Sequence, residues 1–297
     1  MKRKVPVLLT WDVDPTPEVT VAGKKTALDI TAKLLKELNI KSTFLFVATI
    51  AQQLKDEVAM LISNGHEIGS HGLAHSDEEE YNKMPRDKQR EYLYKAHGIL
   101  EAITFKPVTT FRGPRVKTSH ITHELLEEMG YNADCSISSQ RCDLVSSNLI
   151  NIGWLFAPRL PYHPAKDSAF RRGNRKIWVV PISALILPFI SSVLYTFRLK
   201  FMMKFFDILY KESLNTGKPI VYLAHPVEFA EDTIKFQKKI SWFNGIFAHG
   251  FTSRAKLYLK GCQKRLEINK RLFQYIRAHE GVEFLTVNEF VSSLGAG

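Results

Sequence analysis

The chain has 297 residues, enough to bury a large core as one α/β barrel or as two smaller domains. With 45% hydrophobic and 24% charged residues it reads as globular, which excludes disordered and fibrous classes. Three cysteines cannot form a closed disulfide framework, and Cys135, Cys142 and Cys262 lack a CxxC spacing, so a reducing, cytoplasmic compartment fits. The formal charge of +11 fits either a soluble protein with a basic face or an anionic partner such as nucleic acid, a membrane surface or a phosphorylated substrate.

The basic start Met1-Lys2-Arg3-Lys4 is followed by an apolar run that stops at Asp12, too short for a signal peptide, and no stretch is apolar for long enough to predict a membrane span. Residues 5–10 read as a buried strand ending in Asp12 and Asp14. Helical spacing of Ala27, Ile30, Leu34, Leu35 and Leu38 predicts a helix over 26–38, followed by a strand over 41–47. A helix over 51–62 stops at Asn64-Gly65, and residues 66–70 lead into His71. Further elements are a helix over 86–104, a strand over 109–112, a helix over 118–129 and a strand edge over 131–136. Residues 158–176 read as a Pro-rich basic loop, and 177–182 and 219–224 as strands. An irregular insertion over 228–262, a basic helix over 266–279, a last strand over 282–286 and a closing helix over 287–294 complete the pattern. The alternation predicts parallel βαβ units in one catalytic domain, 1–297. Asp12, Asp14, His71, His75, Arg112, Asp134 and His225 all fall where strands end, which in an α/β barrel is one face and the usual site of chemistry.

His71 and His75 form a HisxxxHis pair whose imidazoles can converge, although such a pair alone more often caps a helix or lies on a surface. Asp12 and Asp14 end a buried strand, where two carboxylates are costly unless paired or bound to a cation; N-capping of the turn at Pro15 is the plainer use. One carboxylate and two imidazoles make a three-ligand site with open positions, the arrangement of a catalytic metal.

Five segments in order resemble the polysaccharide deacetylase family, carbohydrate esterase family 4: Thr10-Trp11-Asp12-Val13-Asp14, Ser70-His71-Gly72-Leu73-Ala74-His75, Phe111-Arg112-Gly113-Pro114, Tyr131-Asn132-Ala133-Asp134 and Leu223-Ala224-His225-Pro226. The resemblance implies a distorted (β/α) barrel with fewer than eight strands and a divalent metal, with zinc first among the first-row candidates. Carried over, it makes Asp14, His71 and His75 ligands, Asp12 the general base and Arg112 the residue that orients Asp12. It makes His225 the general acid with Asp134 as its carboxylate partner, and a backbone N–H near Arg115 a donor to the oxyanion. The implied reaction is metal-assisted hydrolysis of an N-acyl group, acetyl or formyl, on an amino sugar. Val13 between the two aspartates, Arg115 in place of an aromatic and Cys135 in place of Trp depart from the common pattern. With the segment Ala224-His225-Pro226-Val227-Glu228, they look more like the branch that deformylates aminoarabinose on a polyprenyl-phosphate carrier. The alternative is an allantoinase-like hydrolase of a small cyclic amide.

Residues 184–216 predict an apolar helical insertion. Thr196, Lys200, Lys204, Asp207 and Lys211 would form a narrow polar stripe, and Phe189, Val193, Leu194, Phe197, Phe201, Met202, Phe205, Ile208 and Leu209 a broad apolar face interrupted by Arg198. That face requires more of the chain, a second subunit in a homo-oligomer, or lipid at the inner face of a membrane. Arg159, Lys166, Arg171, Arg172, Arg175 and Lys176 could bind phosphates or form a solvated loop. The cationic C-terminal part carries no nucleic-acid-binding motif, so no nucleic-acid partner is expected.

Overall fold

A computed structural model describes residues 3–141, 152–230 and 261–295. The first strand, β1 (Val5–Val13), is buried along almost its whole length, as its continuous apolar sequence requires of a strand covered on both faces. It leads to α1 (Val21–Glu37), β2 (Thr43–Phe46), α2 (Ala48–Ala51), α3 (Lys55–Ser63), β3 (Glu67–Ser70), α4 (Arg86–Thr104), β4 (Thr110–Phe111), α5 (His120–Glu128) and β5 (Ala133–Asp134). Then come α6 (Ile152–Phe156), β6 (Pro164–Ala165), β7 (Ser168–Arg172), β8 (Trp178–Val179), α7 (Ser191–Thr216), β9 (Ile220–Ala224), α8 (Cys262–Arg277), β10 (Val282–Phe284) and α9 (Val287–Leu294).

Seven parallel strands in the order β9-β1-β2-β3-β4-β5-β8 form the curled wall of a barrel with fewer than eight strands. Beyond β8 the chain reaches back to β9, where Ser183 N donates to Val221 O (3.2 Å) and Val221 N to Ser183 Oγ (2.9 Å). The short β10 sits outside the ring order: it pairs with Val5 to Val7 on the edge of β1 whose later residues, Thr10 to Val13, pair with β2.

Helix starts follow local capping. Thr20 accepts from Gly23 N ahead of α1, and full capping boxes open α5 (Ser119 with Thr122) and α9 (Thr286 with Glu289). Two expectations are corrected. The helix anticipated over 51–62 is split: Ala51 ends the short α2, and α3 starts only at Lys55, because Leu54 (φ −125°, ψ 34°) leaves the helical path. The segment 158–176 is not a plain loop: it carries the antiparallel pair β6–β7, which covers the ring of Trp154 and Tyr162. Of the insertion anticipated over 228–262, residues 231–260 lie outside the described residues.

Within the apolar insertion, α7 is broken at Arg198 (φ 69°, ψ 170°). Val193, Leu194, Tyr195, Leu199, Met202, Phe205, Phe206 and Leu209 join the main core, so most of the apolar face is satisfied within the chain. Phe197 (47%), Phe201 (39%) and Ile208 (54%) remain exposed. No helix among the described residues is long and apolar enough to cross a membrane.

His66, beneath β2, gives a pH signature. Its Nδ1 accepts Ser42 N at 3.2 Å and its ring meets Phe44 edge-on, and burial pushes its pKa down to about 4. The unfolded chain protonates this imidazole below its ordinary value near 6.5, whereas the fold resists until about 4. Stability of about 3 kcal/mol is therefore present above that ordinary value and lost as the pH falls through this window. Denaturant unfolding of His66→Gln at a series of pH values should show a shallower fall than the parent; equal slopes would remove the assignment.

Candidate active site

The C-terminal end of β1 carries Asp12, and Asp14 follows two residues later, so the pleat turns both toward the same space. Asp12 Oδ1 accepts Arg112 Nη1 at 2.6 Å. The fully buried guanidinium also donates to Thr10 Oγ1 (3.0 Å) and Cys135 O (3.0 Å), which fixes its plane between β1, β4 and β5. Asp12 Oδ2 is left toward His71, 3.9 Å from Nε2.

His71 follows β3, its backbone N bonded to Phe46 O (2.7 Å) and its Nδ1 donating to Arg112 O (2.7 Å). That bond leaves the Nε2 lone pair pointed at Asp14 Oδ1, 3.3 Å away. The loop then turns at Gly72 (φ 79°), where a Cβ would lie 2.4 Å from Glu79 Oε1, and brings His75 (φ 55°) to 3.9 Å from the same Asp14 oxygen. Glu79 is wholly buried and holds this loop together. It accepts Leu73 N (2.6 Å), Ala74 N (2.8 Å), His75 N (2.7 Å) and Tyr81 OH (2.9 Å). Sequence reasoning missed Glu79, because Asp77-Glu78-Glu79-Glu80 looks like a solvated acidic run; the signal was an acid just beyond a turn rich in unpaired N–H groups.

Asp14, His71 and His75 each offer a ligand atom within 4.8 Å of the others. Asp14 Oδ1 is buried without a hydrogen-bond donor, since the 3.3 Å approach of His71 is not aligned for one. Two acceptors facing each other at that distance fit a cation between them, and one carboxylate with two imidazoles suits a divalent first-row metal. The local charges shift all three groups. Burial raises the Asp14 carboxyl, but His75, His71 and His225 outweigh it and hold it well below its ordinary value. Burial opposes the His71 imidazolium, yet Asp12 and Asp14 pull its pKa upward. For His75 burial dominates and lowers it, only partly offset by Asp14.

His225, at the end of β9, places Nε2 3.6 Å from Asp14 Oδ2, on the other side of the carboxylate. Its expected partner is corrected. Asp134 Oδ2 accepts His123 Nε2 at 2.7 Å, and its Oδ1 takes Ser136 N (2.9 Å) and the Ser136 hydroxyl, so it is used up under β5. The carboxylate beside His225 is Glu228, with Oε1 3.2 Å from Nδ1. Sequence analysis had noted Glu228 only as part of a segment. The other sequence-selected residues, Asp12, Asp14, His71, His75, Arg112 and His225, come together at one end of the barrel wall. Arg115 flanks them with left-handed backbone (φ 55°) and its guanidinium on Asp77 Oδ1 (2.7 Å).

The basic segment is largely neutralised within the chain. Arg159 forms a two-point pair with Glu212 (2.9 and 2.6 Å), Arg175 meets Glu127 (3.0 Å) and Arg171 meets Asp167 (2.7 Å). Lys166, Arg172 and Lys176 are the exposed cations left for an anionic ligand.

Comparison with known proteins agrees with this geometry. Residues 2–133 match the family model described as polysaccharide deacetylase, a span holding Asp12, Asp14, His71, His75 and Arg112. A peptidoglycan deacetylase of Helicobacter pylori is 28% identical over 105 residues, which is 35% of this chain and 35% of that protein. The chain therefore matches about a third of that relative's length. Among solved structures, a probable polysaccharide deacetylase of Pseudomonas aeruginosa PAO1 superposes with a TM-score of 0.60 at 17% identity, covering 98% of this chain and 91% of that one. An allantoinase superposes with a TM-score of 0.62 at 17% identity, covering 98% and 90%. At these identities the likeness is one of fold: a polysaccharide deacetylase-like (β/α) barrel.

Proposed function

We propose that the protein is a metal-dependent hydrolase that removes an N-acyl group, acetyl or formyl, from an amino sugar on a lipid-linked or cell-envelope glycan. The observation that carries the reading is Asp14, His71 and His75 converging between Asp12 and His225. A divalent metal, zinc first among the candidates, held by those three side chains would supply Lewis acidity to a water and to the acyl oxygen.

The chain's own groups then divide the work. Asp12 Oδ2, with Oδ1 anchored on Arg112, takes a proton from the attacking water. The remaining hydroxide adds to the acyl carbon, and the Arg115 backbone N–H, for which no bond occurs among the described residues, is the donor we assign to the oxyanion. As the carbon–nitrogen bond breaks, His225 Nε2 gives a proton to the departing sugar nitrogen. The products are a carboxylate and a free amine.

The outer face of α7 supports a lipid-linked substrate: Phe197, Phe201 and Ile208 stand exposed beside exposed Arg198, Lys200, Lys204 and Lys211. The test is a panel of N-acetyl and N-formyl hexosamines, soluble and linked to polyprenyl phosphate, with released acetate or formate measured from zinc-loaded protein and allantoin as the rival substrate. Turnover of a sugar amide is expected; turnover of allantoin alone would replace this reading by the cyclic-amide one. Phe197→Ser/Phe201→Ser/Ile208→Ser should stay folded, bind anionic vesicles more weakly, and slow the lipid-linked substrate more than the soluble one. Phe205→Ser, in the core, should instead destabilise by about 3 kcal/mol or more. Unchanged vesicle binding by the triple variant would leave a soluble substrate.

A further inference from the structure

We propose that Glu228 is the positioning residue of His225, with the first turn of α7 as its support, so that the inserted helix forms part of the proton-donating apparatus. The proposal rests on the reading of His225 as the donor to the leaving nitrogen. Glu228 is the third residue of a single 3₁₀ turn, Pro226–Phe229, whose N-cap is His225, and its carboxylate lies beside the imidazole three residues earlier.

Both carboxylate oxygens of Glu228 are held. Oε1 accepts Ser191 Oγ (2.5 Å) and His225 Nδ1 (3.2 Å), and Oε2 accepts Tyr195 OH (2.7 Å). Ser191 and Tyr195 are one helical turn apart on α7, ahead of the break at Arg198. Tyr195 OH accepts Asn269 Nδ2 (2.8 Å) from α8, and Asn269 Oδ1 accepts Tyr222 OH (2.9 Å) from β9. The Glu228 carbonyl is bonded by Arg265 Nε, also from α8. α7 thus holds the carboxylate directly, while α8 and β9 support it through Tyr195 and α8 also holds the Glu228 backbone, all within a buried region.

The consequence for His225 is geometric. With Nδ1–H given to Glu228, the ring cannot flip without losing that bond, and Nε2 stays toward Asp14 Oδ2 and the substrate space. Asp134 bonds instead to His123 and Ser136 and makes no contact with His225 among the described residues.

The test uses zinc-loaded protein and the N-acyl hexosamine that the parent turns over. Glu228→Gln should lower kcat on the order of 10²-fold, leave KM within about twofold and keep the parent's zinc content. Glu228→Asp should recover part of the loss. A kcat of Glu228→Gln within about twofold of the parent would overturn the proposal. If the variants do not fold, the parent decides. In ¹⁵N-histidine-labelled, zinc-loaded protein, the His225 signal, identified by its loss in His225→Gln, should show a proton on Nδ1. A bare Nδ1 would overturn the proposal. A parent inert on every N-acyl sugar would instead fail the functional reading, and the Nδ1 measurement would still decide the contact.

Discussion

Replacing Asp14, His71 or His75 by Ala should abolish stoichiometric binding of a divalent metal, whereas Asp12→Asn should keep the metal and lose hydrolysis by about 10²–10⁴-fold. The two outcomes separate because the side chains hold different posts. Asp14 Oδ1 is the meeting point of both imidazoles and has no hydrogen bond of its own to fall back on. Asp12 reaches His71 only at 3.9 Å and is anchored on Arg112 instead. Asn at position 12 keeps an acceptor for Arg112 but removes the charge opposite a buried guanidinium, and removing one partner of a buried pair costs up to about 3–5 kcal/mol. Metal content must therefore be read by elemental analysis below the variant's melting transition. Full metal in all three Ala variants would sink the ligand set; near-parental turnover by Asp12→Asn would remove it as the base.

Glu79→Ala should lower both stability and metal affinity although the residue touches no metal. It strips the acceptor from three consecutive backbone N–H groups, Leu73 to His75, and from Tyr81 OH. Each buried donor left without a partner costs about 1–3 kcal/mol, and loss of a group that orients a ligand typically costs about 10–100-fold in metal affinity. Glu79→Gln separates the effects: it retains one acceptor oxygen, so it should fold closer to the parent yet still bind zinc more weakly than the parent. Calorimetric titration with zinc is the measurement, and parental affinity in both variants would show that the loop holds its shape by itself.

The sequence discloses strongly periodic elements best. The helix expected over 86–104 and the one over 287–294 match α4 and α9, because apolar spacing is regular in both, with Pro85 ahead of α4 and a capping box opening α9. The α2–α3 break escaped because residues 52–54 carry neither Gly nor Pro to mark it. In the site, Asp12, Asp14, His71, His75, Arg112 and His225 were legible because strand ends collect on one face. Partner choice was not legible: whether Asp134 or Glu228 serves His225 depends on how β5 and the 3₁₀ turn are set in three dimensions. Likewise the exposed part of α7 could not be read from helical spacing, since the break at Arg198 rotates its two segments relative to a single continuous face.

The arrangement around β1 has a bearing on how the chain acquires its fold. This strand, which delivers Asp12 and Asp14, pairs with β2 nearby in sequence, but its other contacts are with Ile220 to Ala224 and Val282 to Phe284, more than 200 positions away. Pairings of such long range are slow to form, because loop closure must precede any gain from contact. During synthesis, β2 to β5 and their helices emerge early and can associate locally. The edge of β1 that meets β9, and the Val5 to Val7 stretch that meets β10, stay unmatched until those strands leave the ribosome, and an apolar strand with an open edge invites association with other chains. Recombinant yield should thus be governed by protection of this first strand during translation, improving with slower synthesis or chaperone supply.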